Sequence, residues 1–349
     1  MRIVEHFPRE IREIEHVFVP TKDGARLAAR LWLPAGAETE PAPAILEYHP
    51  YGKREGTRER DERMHRYFAG HGYAAVRVDV RGSGDSEGVL ADEYDEAELR
   101  DGEGVLAWIA EQPWCDGTVG MIGKSWGGFN ALQIAARRPP ALRGVISVCA
   151  SDDRYADDAH YMGGCLLLGN FHWGQALFTP VAQPPDPELL GPAWRALWRE
   201  RLEAARPFAV RWLRHPLRDA YWRRGSVGED LSRIACPVWA VGGWSDGYSN
   251  AVPRLVAGLE GRCHGLVGPW THQYPHEALP RPTIGFLQEA IRFFDRTLRG
   301  EAAGADEPAY RVWSSEGPLV RGETESRGRW IAEAAWASPH VTPLVLPLG

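Results

Sequence analysis

The most constraining feature of this chain is a serine between glycines, placed where a strand pattern meets a helix pattern. Residues 118–122 are short, apolar and β-branched, as in a buried strand, and residues 129–137 carry apolar side chains at helical spacing. Between them, residues 123–127 read GKSWG, a G-x-S-x-G pattern. A serine on so sharp a turn needs strained backbone angles and small neighbours, because strand and helix converge there. The arrangement predicts that Ser125 is an exposed nucleophile and that the Trp126 amide can stabilise negative charge; the alternative is an ordinary serine in a glycine-rich turn.

Strand and helix patterns alternate along the first 150 residues. A hairpin is predicted within residues 14–33, and buried strands separated by segments of helical length follow up to residue 150. This order predicts an α/β fold with a mostly parallel central sheet, helices on both faces and ligands at the carboxyl ends of the strands. The sheet pattern resumes with strands at 237–242 and 265–268, and an amphipathic helix at 283–298 closes it.

Between residues 151 and 233 the strand pattern is interrupted. This segment holds short helical patterns, a proline-rich loop and many aromatic residues. Because an insertion at this edge of the sheet overhangs the strand ends, we interpret it as a helical cap; the alternative is a set of helices that flank the sheet. The predicted core therefore comprises residues 1–150 and 234–300. Residues 301–349 are expected to be a linker followed by short strands, the last of them at 343–346.

Two loops after predicted strands supply partners for the serine. A serine hydroxyl is a weak nucleophile without a base to take its proton, and the base needs a carboxylate to hold its tautomer. In such a fold the acid and the histidine follow the serine, each in a loop after a strand. Asp246 is the only acid in the first loop, with helix capping as its structural alternative. His272 follows the next strand, and His276 is the alternative base.

A second hydrogen-bond donor for an oxyanion should come from the loop after the strand at 44–48. That loop has no His-Gly-Gly-Gly run, which argues against a hole of the lipase type. Tyr51 lies in this loop and could donate its hydroxyl, or it could be a packed aromatic side chain. The residues by themselves leave both interpretations open.

Composition and charge exclude several classes of function. The net charge of −7 and the pI near 6.0 give no basic surface for nucleic acid, and no apolar run approaches the roughly 20 residues that span a bilayer. The charged N-terminus lacks the apolar core of a signal peptide, which favours a cytoplasmic protein without a membrane partner. The five scattered cysteines are typical of buried thiols rather than of disulfides or a zinc site, so no metal is expected.

Two further segments are interpreted as structural. Residues 53–63 are rich in charge and are expected to be a solvated loop and helix start. The glycine-rich loop at 81–88 lacks the G-x-G-x-x-G pattern and is not followed directly by a helix, so we expect no nucleotide there and no cofactor elsewhere.

Five motifs follow one another along the chain: YHPYGKR at 48–54, DVRGSGDS at 79–86, GMIGKSWGG at 120–128, WSD at 244–246 and GPWTH at 268–272. Together they resemble the cocaine esterase / X-prolyl dipeptidyl aminopeptidase family, which is the CocE/NonD group of serine hydrolases similar to peptidase S15. The resemblance covers about residues 12 to 300.

That resemblance implies an α/β-hydrolase fold with a helical cap and catalysis by Ser125, Asp246 and His272. It also implies an oxyanion hole made by the Tyr51 hydroxyl and the Trp126 amide. Family members carry a further β jelly-roll domain, of which residues 310–349 resemble only the opening strands. We therefore expect a truncated C-terminal β segment with open edges, which a second copy of the chain or another partner would cover.

The family contains esterases, dipeptidases that need a free amine, α-amino ester hydrolases and acylases. Members that select α-amino esters place acids just after the catalytic aspartate, where this chain has Gly247, Tyr248 and Ser249. A substrate ammonium needs a buried carboxylate cluster. Four acids of the early cap could bind an amine or form a solvated acidic face: Asp152, Asp153, Asp157 and Asp158.

The aromatic residues of the cap favour an apolar or aromatic acyl group. We expect the substrate pocket to be lined by Tyr155, His160, Trp173 and Trp244. The predicted function is hydrolysis of small carboxylic esters through an acyl-enzyme, with no cofactor. X-prolyl dipeptidyl aminopeptidase or acylase activity is the alternative, and a catalytically silent binding module is the alternative from another class.

Overall fold

A central sheet organises the molecule in the computed structural model, which describes residues 4–302, 307–318, 322–342 and 344–347. The described strands are, in chain order, β1 (Ile11–Pro20), β2 (Arg26–Pro34), β3 (Ala42–His49), β4 (Ala74–Asp79), β5 (Cys115–Lys124), β6 (Leu142–Val148), β7 (Tyr161–Met162), β8 (Cys165–Leu166), β9 (Val238–Gly243), β10 (Cys263–Gly268), β11 (Tyr310–Ser315) and β12 (Gly328–Glu333). β7 and β8 form a separate hairpin, and the other described strands form one sheet in the order β1-β2-β4-β3-β5-β6-β9-β10-β11-β12.

The sheet is parallel from β4 to β11 and antiparallel only at its two edges, where β1 and β2 form the expected hairpin and β12 pairs with β11. The predicted mostly parallel sheet is thus confirmed. Parallel strands need long crossovers, and the helices that follow β3, β4, β5 and β9 provide them.

Helices cover both faces of the sheet. The described helices are α1 (Arg58–Gly70), α2 (Glu96–Ala110), α3 (Trp126–Ala135), α4 (Gly169–Ala182), α5 (Pro187–Leu190), α6 (Trp194–Ala204), α7 (Phe208–Leu213), α8 (Ala220–Arg223), α9 (Ala251–Gly258) and α10 (Phe286–Arg299). Of these, α2, α3 and α9 lie on one face and α1 and α10 on the other. Alternate side chains of β3 enter different cores: Leu46 packs in the core that contains Leu106 of α2, and Ile45 in the core that contains Phe294 of α10. Because both of its faces enter a core, β3 is buried along its whole length.

Residues 151–233 hold α4 to α8 and the β7–β8 hairpin, and no described residue of this segment joins the central sheet. Buried or half-buried ion pairs attach it to the core. Arg154 pairs with Glu93 of the loop before α2 (2.5 Å), and Arg254 of α9 pairs with Asp157 (2.9 Å). The Arg201 guanidinium donates to the carbonyl oxygen of Gly84 (2.9 Å).

The charged segment at 53–63 is only partly as expected. A helix does start within it, since α1 begins at Arg58, but the segment is not solvated throughout, because Lys53 and Asp61 are fully buried. Lys53 pairs with Asp85 (2.9 Å), and Asp61 pairs with the buried Arg77 (3.2 Å). Charges of opposite sign on neighbouring elements make this burial possible, and a count of charges along one segment does not reveal such pairs.

The C-terminal residues extend the central sheet. β11 pairs in parallel with β10, and β12 pairs with β11, so these strands are edge strands of the core sheet where the sequence predicts the opening strands of a separate β domain. The third strand expected in this region, at 343–346, includes Pro343, which lies outside the described residues, and Leu344 to Leu346 are not in a strand. Among the described helices, none has the length and apolar character to cross a membrane.

Candidate active site

The turn between β5 and α3 holds Ser125 in a strained conformation, with φ 57° and ψ −123°. Its amide donates to the carbonyl oxygen of Val148 (2.9 Å), and its hydroxyl does not cap α3 although Ser125 stands at the N-cap position. A Cβ atom on Gly123 would lie 2.2 Å from the carbonyl carbon of Gly127. Glycine is therefore required at 123, and the turn leaves the serine hydroxyl free for other contacts.

Asp246 and His272 follow neighbouring parallel strands, β9 and β10, and meet beyond their carboxyl ends. His272 Nδ1 lies 2.8 Å from Asp246 Oδ1, and the Asp246 side chain is 3% exposed. The bond fixes the imidazole and leaves Nε2 for the cavity that His272 and Ser125 line together. Lys124 Nζ donates to the His272 carbonyl oxygen (3.2 Å), which ties the histidine loop to the end of β5.

His276, the alternative base, lies elsewhere. Its ring stacks on Phe286 at 5.7 Å with 3° between the planes, and it lines a different cavity beside α1 and α10. The structure therefore places His272 in the same cavity as Ser125 and His276 in another.

The Tyr51 phenol lies beside the Ser125 hydroxyl and the Trp126 backbone amide, and both of these groups act to lower its pKa. Burial raises the pKa of Tyr51 to about 12, so the phenol is neutral and keeps its proton at ordinary pH. The Tyr51 amide donates to Nδ1 of the buried His49 (3.3 Å), and the two rings are 4.9 Å apart. The hydroxyl and the Trp126 amide are thus two donors that converge beside the serine.

The cavity at this site has a volume of about 380 Å³ and lies between the core and residues 151–233. Ser125, Phe129, Tyr248, Asp246 and His272 line it from the core side. The size suits a small ligand, since pockets for small molecules usually measure about 300–1,000 Å³.

From the side of residues 151–233 the cavity is lined by Asp158, Met162, Leu167 and Trp173, among other residues. Of the four pocket residues predicted from the sequence, Trp173 alone is part of this lining.

The other three predicted pocket residues lie outside the described lining. Tyr155 stacks on Tyr161 at 4.5 Å and donates its hydroxyl to the Pro216 carbonyl oxygen. Trp244 is 46% exposed and donates its indole N–H to the Trp313 carbonyl oxygen in β11 (2.6 Å). His160 is buried behind the cavity wall. Their positions in the sequence carried no information on side-chain direction.

Glu93 is a buried carboxylate of the cavity wall whose charge is already compensated. It accepts hydrogen bonds from Arg154 (2.5 Å), His160 Nε2 (2.6 Å) and Trp173 Nε1 (2.9 Å). Burial opposes its ionisation, but His160 and Arg154 hold the pKa of Glu93 well below its ordinary value. Burial would also lower the pKa of His160, and Glu93 more than reverses this and raises it. Both ring nitrogens of His160 face oxygen atoms, because Nδ1 lies 2.8 Å from Asn170 Oδ1.

Asp158 is the second carboxylate of the wall. Its oxygen accepts from the Ala159 amide (2.6 Å), and the carboxyl lies near Tyr248, whose pKa burial and this carboxyl raise. Burial raises the pKa of Asp158 to about 6. The other three acids of the early cap do not form a solvated face: Asp152 and Asp157 pair with Arg254, and Asp153 pairs with Arg218.

A buried ionic network under the site joins β3 to the histidine loop. Glu47 accepts hydrogen bonds from the Tyr274 hydroxyl (2.9 Å), Arg60 (2.8 Å) and His65 Nε2 (3.1 Å). Because Tyr274 stands two residues after His272, the carboxylate of Glu47 anchors the loop that carries the imidazole.

Two groups of described side chains have possible metal-ligand atoms within 4.8 Å of one another: Cys149, Asp246 and His272, and Glu47, His49 and Asp61. In the first, Asp246 and His272 are bonded to each other. In the second, Arg60 already contacts both carboxylates. Their lone pairs are committed to protein donors, so neither group is a suitable metal centre.

Sequence reasoning missed several residues of the cavity wall: Glu93, Tyr94, Phe129, Met162 and Leu167. Glu93 and Tyr94 precede α2 in a loop without a recognisable pattern. One sequence feature indicated that such an acid exists. Arg154 and His160 stand among the aromatic residues of segment 151–233, and a buried cation requires an acid as its partner.

Comparison with known proteins identifies the family of this chain. The sequence model of the X-Pro dipeptidyl-peptidase (S15) family matches residues 23–274, which include Ser125, Asp246 and His272. The chain belongs to this family. The resemblance predicted from the five motifs is therefore confirmed.

Individual relatives agree with the S15 assignment. Cocaine esterase from Rhodococcus sp. (strain MB1 Bresler) is 30% identical over 95% of this chain and 62% of its own length. A CocE/NonD family hydrolase from Staphylococcus aureus has a TM-score of 0.72 at 19% identity, over 95% of this chain and 57% of its own. An α-amino acid ester hydrolase has a TM-score of 0.67 at 22% identity, over 96% and 60%. These structural likenesses show the α/β-hydrolase fold.

The S15 relatives are longer than this chain. It spans about three fifths of the length of the cocaine esterase and of the two putative serine esterases from Mycobacterium that it matches.

Proposed function

We propose that this chain hydrolyses carboxylic esters through an acyl-enzyme on Ser125. The observation that supports the proposal best is that Ser125, on its strained turn, lines one cavity together with the Asp246–His272 pair, whose atoms are 2.8 Å apart. The Tyr51 phenol lies beside Ser125 and the Trp126 amide.

The proposed reaction begins when Ser125 Oγ attacks the ester carbonyl carbon and His272 Nε2 takes the serine proton. Asp246 stabilises the imidazolium and holds its orientation. The Tyr51 hydroxyl and the Trp126 N–H donate to the oxyanion of the tetrahedral intermediate. His272 then protonates the leaving alcohol, and a water molecule repeats the sequence on the acyl-enzyme to release the acid.

An ester with an apolar acyl group fits the cavity wall best. Phe129, Trp173, Met162 and Leu167 supply apolar and aromatic surface. Glu93, whose pKa its partners hold low, already accepts three hydrogen bonds from them. A substrate ammonium would compete with Arg154 for it, so a neutral substrate is favoured.

X-prolyl dipeptidyl aminopeptidase activity is the second candidate. Asp158 favours it, because this buried carboxyl faces the cavity and contacts no described arginine or lysine in an ion pair of 4.0 Å or less. With a pKa of about 6 it is mostly ionised at neutral pH and could accept the amine of a dipeptide.

One substrate panel separates these activities. The wild type is assayed with p-nitrophenyl acetate, butyrate and benzoate, with Gly-Pro and Ala-Pro p-nitroanilides, and with an N-acyl p-nitroanilide for acylase activity. Turnover of esters with negligible cleavage of the nitroanilides supports the proposal, and the opposite preference selects the peptidase.

Labelling by a fluorophosphonate tests the nucleophile in the same protein. Native protein should be labelled on Ser125, and Ser125→Ala should not be labelled. If folded wild type neither reacts with the probe nor hydrolyses any member of the panel, the binding-module alternative replaces the enzyme.

A further inference from the structure

Four exposed apolar side chains surround the β7–β8 hairpin and the start of α4. Met162, Leu166, Leu168 and Phe171 are 38%, 52%, 71% and 55% exposed, and we call them the apolar lip. Single exposed apolar residues are common, but a cluster within ten residues is characteristic of a binding surface.

The lip is continuous with the cavity that holds Ser125. Met162 belongs to the lip and also lines the cavity, and Leu167, between two lip residues, lines it as well. Cys165 pairs directly with Met162 across the hairpin, so the two side chains share a face. The lip therefore begins where the cavity opens.

Local structure holds the lip in place. The hairpin turns through Gly163 and Gly164, whose φ angles of 56° and 81° are those of a two-residue turn that only small residues adopt readily. The Leu167 amide donates to the His160 carbonyl oxygen (3.0 Å), and Asn170 contacts the His160 ring (2.8 Å). Since His160 is bonded to Glu93, the apolar lip and the cavity wall share one support.

We infer that the apolar lip binds the distal part of a long, apolar acyl chain whose carbonyl group lies at Ser125. This inference rests on the proposed ester hydrolysis. A cavity of about 380 Å³ holds a short acyl group, and a longer chain must leave through the mouth. The lip offers apolar surface along that path, and no described lysine or arginine lies between residues 155 and 194 to interrupt it.

The lip should extend the chain-length preference of the enzyme. Complete burial of one methylene group is worth roughly fourfold in affinity, and half-burial on an open surface about twofold. The value of kcat/KM should therefore rise by about two- to fourfold per methylene, and the rise should continue after the cavity is filled.

The first test compares p-nitrophenyl esters from acetate to dodecanoate, each below the concentration at which it aggregates. Leu166→Ser with Phe171→Ser should lower kcat/KM for decanoate at least tenfold and leave acetate within twofold. Leu202→Ser is the matched control, because Leu202 is 42% exposed on α6 and does not line the cavity. It should leave both substrates within twofold.

Equal losses for acetate and decanoate, or no loss for decanoate, would overturn the inference. An equal loss in Leu202→Ser would do the same, because the effect would then belong to any exposed apolar residue of the cap.

The second test measures binding without turnover. Cys165 is exposed, contrary to the buried thiols expected from the sequence, whereas Cys115, Cys149 and Cys263 are buried. In Ser125→Ala, p-nitrophenyl decanoate should slow alkylation of Cys165 by iodoacetamide, measured by mass spectrometry, at least fivefold. The acetate should not slow it.

Other occupants of the lip give different results. Protection of Cys165 that grows with protein concentration alone indicates a second copy of the chain, and protection by phosphatidylcholine vesicles but not by the monomeric ester indicates a lipid surface. Either result overturns the inference. Loss of all ester turnover with intact decanoate protection would instead contradict the proposed function and retain the apolar lip as a binding surface.

Discussion

The side chains of Tyr51 and Ser125 lie beside each other although the two residues are 74 positions apart in the sequence. The phenol lies beside the serine hydroxyl and the Trp126 amide, so its O–H and that amide can donate to the same oxyanion. A neutral phenol is a suitable donor there, because its pKa of about 12 prevents ionisation and a charged oxygen would repel the developing oxyanion.

Replacement of the phenol oxygen should reduce the rate of the chemical step. We expect Tyr51→Phe to lower kcat for p-nitrophenyl acetate by about 10²–10³ with a small change in KM, as for loss of one oxyanion donor. Tyr155→Phe is the matched control, because Tyr155 lies outside the cavity and donates to the Pro216 carbonyl oxygen. A Tyr51→Phe enzyme with unchanged kcat would remove Tyr51 from the proposed oxyanion hole.

Asp158 should make stability depend on pH. Its pKa is about 6 in the folded protein and near 3.8 when unfolded, so folding retains a proton between these values and the wild type loses stability as pH rises from about 4 to about 6. Relative to wild type, Asp158→Asn should gain up to about 3 kcal/mol across this window and no more above it. Urea unfolding at pH 4 to 8 measures the difference.

Asp153→Asn is the control of opposite sign. Burial raises the pKa of Asp153, but backbone amides and Arg218 outweigh it and lower the pKa. Its ionised form stabilises the fold above the unfolded pKa, and this contribution is lost as pH falls. A stability difference between Asp158→Asn and wild type that stays constant from pH 4 to 8 would contradict the assignment.

The loop after β10 depends on an anchor in another element. The Tyr274 hydroxyl donates to Glu47 of β3, and the network around Glu47 continues into α1 through Arg60 and His65. The position of the imidazole is therefore set partly from β3, through a contact that spans 227 residues in sequence.

Loss of that hydroxyl should affect catalysis as well as stability. Tyr274→Phe should cost about 1.5–3 kcal/mol of stability, as for a hydrogen bond to a charged group, and should lower kcat about tenfold with little change in KM. Tyr73→Phe is matched to it, because the Tyr73 hydroxyl donates to Asp295 (2.5 Å) far from the cavity. It should lose similar stability and keep its kcat. Equal kcat values in the two variants would exclude a positioning role for Tyr274.

The strands and helices of the core could be predicted from the sequence, whereas the partners of the buried charged side chains could not. The β5–turn–α3 unit was predictable because steric demands at Gly123 and Ser125 are local. The burial of Lys53 and Asp61 was not, since it depends on Asp85 and Arg77, which are remote in sequence. For the same reason the order of Ser125, Asp246 and His272 could be read from the chain, but the directions of Tyr155 and Trp244 could not.

At the scale of the whole molecule, Glu93 connects the core to residues 151–233. Three of its partners, Arg154, His160 and Trp173, belong to that segment, and the Arg154 and Glu93 side chains are almost completely buried. The same carboxylate thus shapes the cavity wall and holds the segment over the sheet.

Removal of this carboxylate should destabilise the molecule strongly. We expect Glu93→Ala to cost about 3–5 kcal/mol, because Arg154 would remain buried without its counterion. Glu96→Ala is the control: Glu96 is 57% exposed, its pair with Arg137 is near the surface, and its loss should cost about 1 kcal/mol or less. Urea unfolding gives both values. Similar losses in the two variants would show that Glu93 is no more important than a surface charge.

The two strands after residue 309, β11 and β12, also determine where the chain can be truncated for expression. β11 covers the outer edge of β10, the strand that leads to His272, and its Trp313 carbonyl oxygen accepts the indole N–H of Trp244, two residues before Asp246. A fragment ending at residue 300 would leave β10 as a bare edge and Trp244 without this acceptor. The smallest catalytic fragment should therefore include β11 and β12, and a fusion partner belongs beyond residue 333.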